Sequence, residues 1–173
     1  MQAMVAKAIK LAILAASIGL TGASFAEKIE GKVVGISDGD TLTVLAGRRE
    51  TRVRLAWIDA PETGHGRDRP GQPFGQAAKR SLSDLCFGRR ASVEIVDHDR
   101  YGRVVGRVLC DGHDANLEQV RRGMAWAYVR YAPPREIVLA ESEARASRRG
   151  LWSDGNATPP WEWRHKSGLF RSY

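Results

Sequence analysis

Residues 29–58, IEGKVVGISDGDTLTVLAGRRETRVRLAWI, carry the pattern on which the predicted fold rests. Three segments, 29–36, 41–46 and 52–58, are rich in strand-forming residues that partly alternate with polar ones. Asp38-Gly39 separates the first segment from the second, and Gly47 separates the second from the third. Because these residues favour tight turns, the stretch predicts three consecutive strands joined by short connections.

Two further segments continue the β-rich pattern, and helices interleave with the strands. Residues 91–96 and 104–110 are predicted strands, separated by a polar turn at Tyr101-Gly102. Apolar spacing and a following glycine predict helices over residues 76–87, 116–122 and 134–149. Helices inserted after the third and fifth strands predict an α+β fold, a five-stranded OB-type β-barrel with three helices.

A signal peptide is predicted over residues 1–26. Two lysines precede the apolar run 11–20, which is short for a membrane span, and small residues then allow cleavage after Ala23 or Ala26. The alternatives are an uncleaved anchor or a buried helix. The cleavage pattern favours export to the periplasm or the medium, with no membrane association of the mature form.

Length and composition indicate one globular domain, which we assign to residues 27–152. The chain has 173 residues, of which 43% are hydrophobic, and this composition argues against disorder. The formal charge of +7 favours polyanionic partners, although many basic proteins bind no nucleic acid. We expect a monomer. The last segment, 153–173, contains Trp161 and Trp163, and we expect it to pack on the domain as an irregular tail, with a partner-binding tail as the alternative.

Acidic residues appear in two of the predicted turns. Asp40 lies in Ser37-Asp38-Gly39-Asp40-Thr41, which taken alone is ordinary turn chemistry. Asp59 and Glu62 follow the third strand, in which Arg54 interrupts an apolar run. Because neighbouring carboxylates repel unless a cation lies between them, these residues indicate a metal site. Oxygen ligands suit calcium or magnesium rather than zinc.

Two later motifs have no clear function on their own. Residues 97–103, DHDRYGR, have the composition of a solvated hairpin tip, and residues 122–131, RGMAWAYVRY, that of an apolar segment packed under the barrel. Neither composition by itself selects Arg103 or a particular tyrosine.

Together, the motifs of residues 31–152 resemble the staphylococcal nuclease family. The matching motifs, in chain order, are Asp38-Gly39-Asp40-Thr41, Val53-Arg54-Leu55 with Ile58-Asp59-Ala60-Pro61-Glu62, Tyr101-Gly102-Arg103, and Arg122-Gly123 with Tyr131. The resemblance implies a calcium-dependent nuclease that hydrolyses DNA and RNA, single-stranded or locally open, and leaves 3′-phosphate ends. The Pro-Pro-Trp-Glu-Trp-Arg tail is similar to that of secreted bacterial members.

The resemblance also implies the metal ligands. Residues matching Asp40 and Asp59 bind one calcium ion in that family, and the residue matching Ala60 adds its backbone carbonyl. Family members often have threonine where this chain has Ala60. A carbonyl ligand survives that change, whereas a contact through the hydroxyl is lost.

The implied catalytic residues are consistent with the chemistry. The residue matching Glu62 activates or orients the attacking water, and the residues matching Arg54 and Arg103 bind the scissile phosphate. Arginine grips phosphate bidentately and stabilises charge that builds up during attack, while a carboxylate can accept the proton of the water. The residues implied to contact the nucleotide are Tyr101, Tyr131 and, as an alternative to Tyr131, Tyr128.

Two other classes of function compete with an enzyme. An OB barrel can bind single strands or oligosaccharides without chemistry, and its expected sign is loss of the catalytic carboxylates or arginines. Those residues are all present in this chain. A metal-binding structural protein is the other alternative, and it would have no use for the two arginines.

The two cysteines permit one disulfide. Cys86 lies on the inward face of the first predicted helix, and Cys110 closes the fifth predicted strand. In the proposed barrel these positions approach each other, and export supplies an oxidising compartment. Two buried free thiols are the alternative.

Overall fold

A computed structural model describes residues 27–64 and 71–166. The strands are β1 (Lys28–Asp38), β2 (Thr41–Ala46), β3 (Arg49–Leu55), β4 (Ile58–Asp59), β5 (Arg90–His98), β6 (Val104–Cys110), β7 (His113–Asp114) and β8 (Trp126–Ala127). The α-helices are α1 (Gly75–Cys86), α2 (Ala115–Arg121), α3 (Arg135–Ala146) and α4 (Pro160–Lys166). Two 3-10 turns span Val129–Tyr131 and Gly150–Ser153.

Five strands close into a barrel. The sheet has the order β3-β2-β1-β5-β6, and β3 also pairs with β6 in parallel, which joins its two edges. At that seam a Cβ on Gly106 would lie 2.6 Å from Val93 Cγ1. Glycine is therefore needed where β6 packs against β5 and pairs with β3. The predicted α+β fold with an OB-type barrel is confirmed.

The third strand ends earlier than predicted. β3 stops at Leu55, because the backbone N–H of Ala56 donates to the Gly106 carbonyl (2.8 Å) and Trp57 adopts a left-handed conformation with φ of 64°. Ile58 then pairs with Ala127 of β8 in a separate two-stranded sheet. The prediction of a single strand over residues 52–58 is wrong, since the chain turns inside an apolar run.

The tail also differs from its prediction. It packs against the domain through residue 166, but residues 160–166 form the helix α4 rather than an irregular segment, so the described chain has a fourth helix. Pro160 is buried at its start, where proline is well tolerated. The predicted signal peptide and residues 167–173 lie outside the described residues.

Buried polar side chains tie α2 to the barrel. Gln119 is fully buried and donates through Nε2 to the carbonyls of Gly39 (2.6 Å) and Ala78 (3.0 Å). Asn116 is also fully buried and donates to the Ala56 carbonyl (2.9 Å). Because unpaired carbonyls in a core are costly, these amides fix the turns before Asp40 and after β3.

The apolar core fills the barrel and the space under α1 and α2. Its large members, such as Leu42, Leu55, Val93 and Leu82, are entirely buried. A disulfide joins Cys86 at the end of α1 to Cys110 at the end of β6, with Cα atoms 5.3 Å apart. Within residues 27–64 and 71–166, no helix has the length and apolar character to cross a membrane.

Candidate active site

The two aspartates predicted to bind metal lie in adjacent loops. Asp40 precedes β2 and Asp59 ends β4, with 4% and 0% of their surface exposed. The backbone N–H of Ala60 donates to Asp40 Oδ2 at 3.3 Å. A Cβ on Gly39 would lie 2.6 Å from the Cβ of Ala78 and 2.8 Å from that of Ala60. The missing side chain at Gly39 therefore lets the two loops pack together.

Arg54 bridges the two buried carboxylates. Its Nη2 atom lies 2.7 Å from Asp59 Oδ1 and 3.2 Å from Asp40 Oδ2. The negative charge of Asp40, with that of Asp59, holds the pKa of Arg54 above its ordinary value although burial opposes this. A single guanidinium thus brings the two carboxylates together and compensates part of their charge.

Glu62 is held in the loop after β4. Its backbone N–H donates to Gln72 Oε1 (3.3 Å), and its carbonyl accepts from the Gln72 backbone (2.9 Å). Burial raises the pKa of the Glu62 carboxyl, and a hydrogen bond and charge from Arg164 oppose that rise. Its side chain is 27% exposed, so it is reachable from solvent while its backbone is fixed.

Asp38 is a fourth carboxylate of the site, for which the sequence indicated no role. It accepts hydrogen bonds from the backbone N–H groups of Gly39 (2.9 Å) and Thr63 (3.3 Å). Burial, together with the charge of Asp40, raises the pKa of Asp38 to about 7. Its place two residues before Asp40 was the available signal, but aspartate before glycine is so common in turns that the motif was not distinctive.

The hairpin between β5 and β6 carries Arg103 and Tyr101. Asp99 orients both, because it accepts from Arg103 Nε (2.6 Å) and from the backbone N–H of Tyr101 (2.9 Å). Partial burial works against ionisation of Asp99, but these hydrogen bonds outweigh it and lower its pKa. The Arg103 guanidinium lies 5.6 Å from the centre of the Tyr101 ring. From the sequence, Asp99 is only one of the acidic residues of a polar turn.

Aromatic side chains form another wall. Tyr128 and Tyr131 meet edge to face with ring centres 4.9 Å apart, and Tyr131 is 60% exposed. Trp161 from α4 stacks on Tyr128 at 5.1 Å with an interplanar angle of 2°. Both tyrosines border the site, where Tyr131 is exposed and Tyr128 is half-buried.

Arg164 is a further residue that the sequence analysis missed. Its Nη2 lies 2.6 Å from Asp59 Oδ2, and its Nη1 lies 3.1 Å from Asp59 Oδ1 and 2.5 Å from Glu62 Oε1. Burial lowers the pKa of Arg164, but these bonds and charges outweigh it and hold the pKa above its ordinary value. More than a hundred residues separate Arg164 from both partners, so no local pattern could pair them.

A cavity of about 1140 Å³ connects these groups. Its wall includes most of the predicted site residues, namely Asp40, Arg54, Glu62, Tyr101, Arg103, Tyr128 and Tyr131. Asp59 and Ala60 are buried, and Asp59 contacts two arginines of that wall, Arg54 and Arg164. Acidic groups, guanidinium groups and aromatic rings therefore surround one space large enough for part of a polymer.

Comparison with known proteins identifies the family. The staphylococcal nuclease homologue family matches residues 52–154. A micrococcal nuclease of Shigella flexneri is 44% identical over 148 residues, which cover 79% of this chain and 81% of that protein. The chain belongs to the staphylococcal nuclease family. It is a nuclease, a phosphodiester hydrolase that acts on nucleic acid.

Two further relatives agree with this assignment. An uncharacterized endonuclease of Escherichia coli is 40% identical over 139 residues, covering 80% of this chain and 86% of that protein. An uncharacterized endonuclease of Haemophilus influenzae is 41% identical over 144 residues, covering 83% and 77%. These alignments span most of the nuclease.

The family is generally metal-dependent, and the donor set of this nuclease fits a hard divalent cation. Asp40 and Asp59 offer buried carboxylate oxygens, which such ions prefer. The guanidinium of Arg164 already occupies a cation position between Asp59 and Glu62. Within residues 27–64 and 71–166, no three His, Cys, Asp or Glu side chains form a metal cluster by themselves, so backbone carbonyl or water ligands would have to complete the shell.

Proposed function

We propose that this nuclease hydrolyses DNA and RNA with the help of one calcium ion and leaves 3′-phosphate ends. Asp40, Asp59 and the carbonyl of Ala60 would hold the ion. A bound calcium ion supplies positive charge beside the phosphate and lowers the cost of the charge that attack builds there. The family and the relatives named as endonucleases support cleavage within the chain.

One observation carries the proposal. The cavity brings Arg54 and Glu62 from one side of the barrel together with Arg103 from the β5–β6 hairpin. A phosphodiester is anionic, and two guanidinium groups across one space can hold its non-bridging oxygens. A carboxylate in the same space can accept a proton from water.

The residues divide the reaction between them. Glu62 accepts a proton from water, whose oxygen then forms a bond to phosphorus in line with the 5′-oxygen. Arg54 and Arg103 bind the non-bridging oxygens and compensate their growing charge. The bond between phosphorus and the 5′-oxygen breaks, that oxygen takes a proton from solvent, and the phosphate stays on the 3′-oxygen.

The aromatic groups bind the nucleotide. Tyr101 is 64% exposed beside Arg103, and Tyr131 is 60% exposed beside Tyr128. Stacking on exposed rings is tolerant of sequence, because every base has a π-face. Bases are free to stack only when unpaired, so we expect single-stranded or locally open substrates to be preferred.

Digestion of single-stranded DNA and RNA tests the proposal. We expect hydrolysis with calcium, loss of hydrolysis with a chelator, and recovery when calcium is restored. Labelling of the product ends distinguishes 3′-phosphates from 5′-phosphates. Undiminished hydrolysis in chelator, with trace metal excluded, would contradict the metal assignment, and predominant 5′-phosphate ends would contradict the bond assignment.

The exported state of the nuclease is part of the proposal. The apolar run 11–20 and the small residues after it support removal of residues 1–26, or of residues 1–23. The mature monomer would then act in the periplasm or the medium. N-terminal sequencing of the protein recovered outside the cytoplasm is expected to begin at Glu27 or Ser24, and an intact Met1 would refute cleavage. Size-exclusion chromatography with light scattering checks the monomer.

A further inference from the structure

The helix α4 is firmly docked on the nuclease domain rather than loosely attached. Just before it, the carbonyl of Thr158 accepts a hydrogen bond from Gln72. Pro160 is buried, and Trp163 lines a small cavity with Phe74 and Trp126. The contacts hold α4 over the loop that contains Glu62, because Gln72 also bonds that loop.

Arg164 uses the carboxylate oxygens that a metal ion would need. Its guanidinium bonds both oxygens of Asp59, at 3.1 and 2.6 Å, and one oxygen of Glu62, at 2.5 Å. Arg54 Nη2 also donates a hydrogen bond to Asp59 Oδ1. Calcium binds carboxylate oxygens at about 2.3–2.6 Å, so an ion on Asp59 would come close to the guanidinium and be repelled by it.

Trp161 covers the aromatic wall from the same helix. It precedes Arg164 by three residues, and side chains three apart lie on one face of a helix. Its ring is parallel to that of Tyr128 at 5.1 Å, which is the arrangement a nucleobase would adopt there. A single helix face therefore contacts a predicted metal ligand, the predicted general base and a predicted base-stacking residue.

We propose that α4 is an intramolecular competitor of the divalent cation, in which Arg164 acts as a tethered counter-ion and Trp161 covers the stacking face of Tyr128. The inference rests on the proposed metal site. Metal binding then displaces Arg164 from Asp59, loosens α4 and uncovers Tyr128 for substrate. The metal-free nuclease is held closed, and its apparent metal affinity is the intrinsic affinity multiplied by the fraction of molecules that are open.

Direct calcium binding tests the competition. By isothermal titration calorimetry, we expect Arg164→Gln to bind calcium at least about 10-fold more tightly than the wild type. This is the change expected if closed molecules of the wild type outnumber open ones about tenfold and the substitution opens them. Lys166→Gln is the matched control, since it removes the same charge from an exposed position of the same helix. We expect its affinity to stay within about 2-fold of wild type, because exposed charges are screened by salt.

Two more measurements separate displacement of α4 from a simple change in charge. Because coupling between two sites is reciprocal, calcium should raise hydrogen–deuterium exchange of residues 160–166 in the wild type. Trp161→Ala keeps Arg164 but removes the second anchor, and we expect it also to bind calcium more tightly. Circular dichroism checks that each variant is folded.

The outcomes distinguish this inference from the proposed function. Equal calcium affinity in wild type and Arg164→Gln, or exchange in α4 that calcium leaves unchanged or lowers, overturns the competition while calcium dependence stands. The same titrations are made with magnesium and manganese. If calcium binds no variant while magnesium or manganese binds and shows the difference, the calcium assignment fails and the competition stands. If no ion binds any variant, both fail.

Discussion

Removal of Arg54 tests whether the active site is built on charge compensation. Arg54→Ala deletes the guanidinium that lies 2.7 Å from Asp59 and 3.2 Å from Asp40. Asp59 keeps its contacts with Arg164. Asp40, whose side chain is only 5% exposed, loses its ion pair with Arg54. The substitution therefore leaves a buried negative charge on Asp40 short of a partner.

The size of the effect follows from this burial. Removing one partner of a buried ion pair costs about 3–5 kcal/mol, and the 21% exposure of the Arg54 side chain points to the lower end, about 3 kcal/mol. Calcium on Asp40 would replace the missing charge. Calcium stabilises both proteins, by about 2.7 kcal/mol at 100 times the dissociation constant. The loss should be smaller in calcium, because removal of the repelling guanidinium lets the variant bind the ion more tightly than the wild type does.

Urea unfolding in chelator and in calcium measures both quantities. We expect Arg54→Ala to lose about 3 kcal/mol in chelator and clearly less in calcium. Arg52→Ala, on the same strand but exposed, is the control and should change stability by less than about 0.5 kcal/mol. Turnover of Arg54→Ala in saturating calcium should fall by at least about 10²-fold, because the proposed phosphate donor is lost.

Two results would contradict these expectations. A loss below about 1 kcal/mol in chelator would mean that Asp40 does not depend on Arg54, since even an exposed pair contributes up to that much. An equal loss in chelator and in calcium would mean that no ion replaces the guanidinium at Asp40.

Three further predictions concern catalysis and the disulfide. Glu62→Gln keeps the shape but accepts no proton, so turnover should fall by at least about 10²-fold with an unchanged circular dichroism spectrum; a rate equal to wild type would exclude Glu62 as the base. Turnover of Arg103→Ala should fall similarly. Arg107, a half-buried arginine of β6 paired with Asp114, is the control, and Arg107→Ala should retain wild-type turnover; equal rates in the two variants would remove Arg103 from the mechanism. The Cys86–Cys110 bridge joins residues that are 24 positions apart in sequence, and it should add about 3 kcal/mol to the free energy of unfolding. Alkylation of both thiols in the unfolded, unreduced protein, detected by mass spectrometry, would show that the bridge is absent.

The barrel was predictable because its pattern is local. Strands β2 and β6 have the predicted bounds, and the turns at Gly39 and Gly102 stand where the sequence indicated them. The end of β3 was not predictable, since Ala56 turns away only when its N–H reaches the carbonyl of Gly106, fifty residues later. Periodicity cannot show a hydrogen bond of that kind.

The chemistry proposed for this nuclease could be inferred from its residue types alone. The residue types at Asp40, Arg54, Asp59 and Glu62, together with Arg103, indicate an acidic metal site with arginines for phosphate, and their order along the chain resembles one family. Side-chain chemistry is a property of the residues themselves, so it can be inferred before any fold is known.

Which of these charges come into contact depends on the fold. Asp99 orients Arg103, Arg54 joins Asp40 to Asp59, and Arg164 reaches Asp59 from the far end of the chain. Contact energy depends on distance and burial, and closure of the barrel with docking of α4 sets both. The sequence supplied the arginine of the tail, and the fold placed it against the carboxylates.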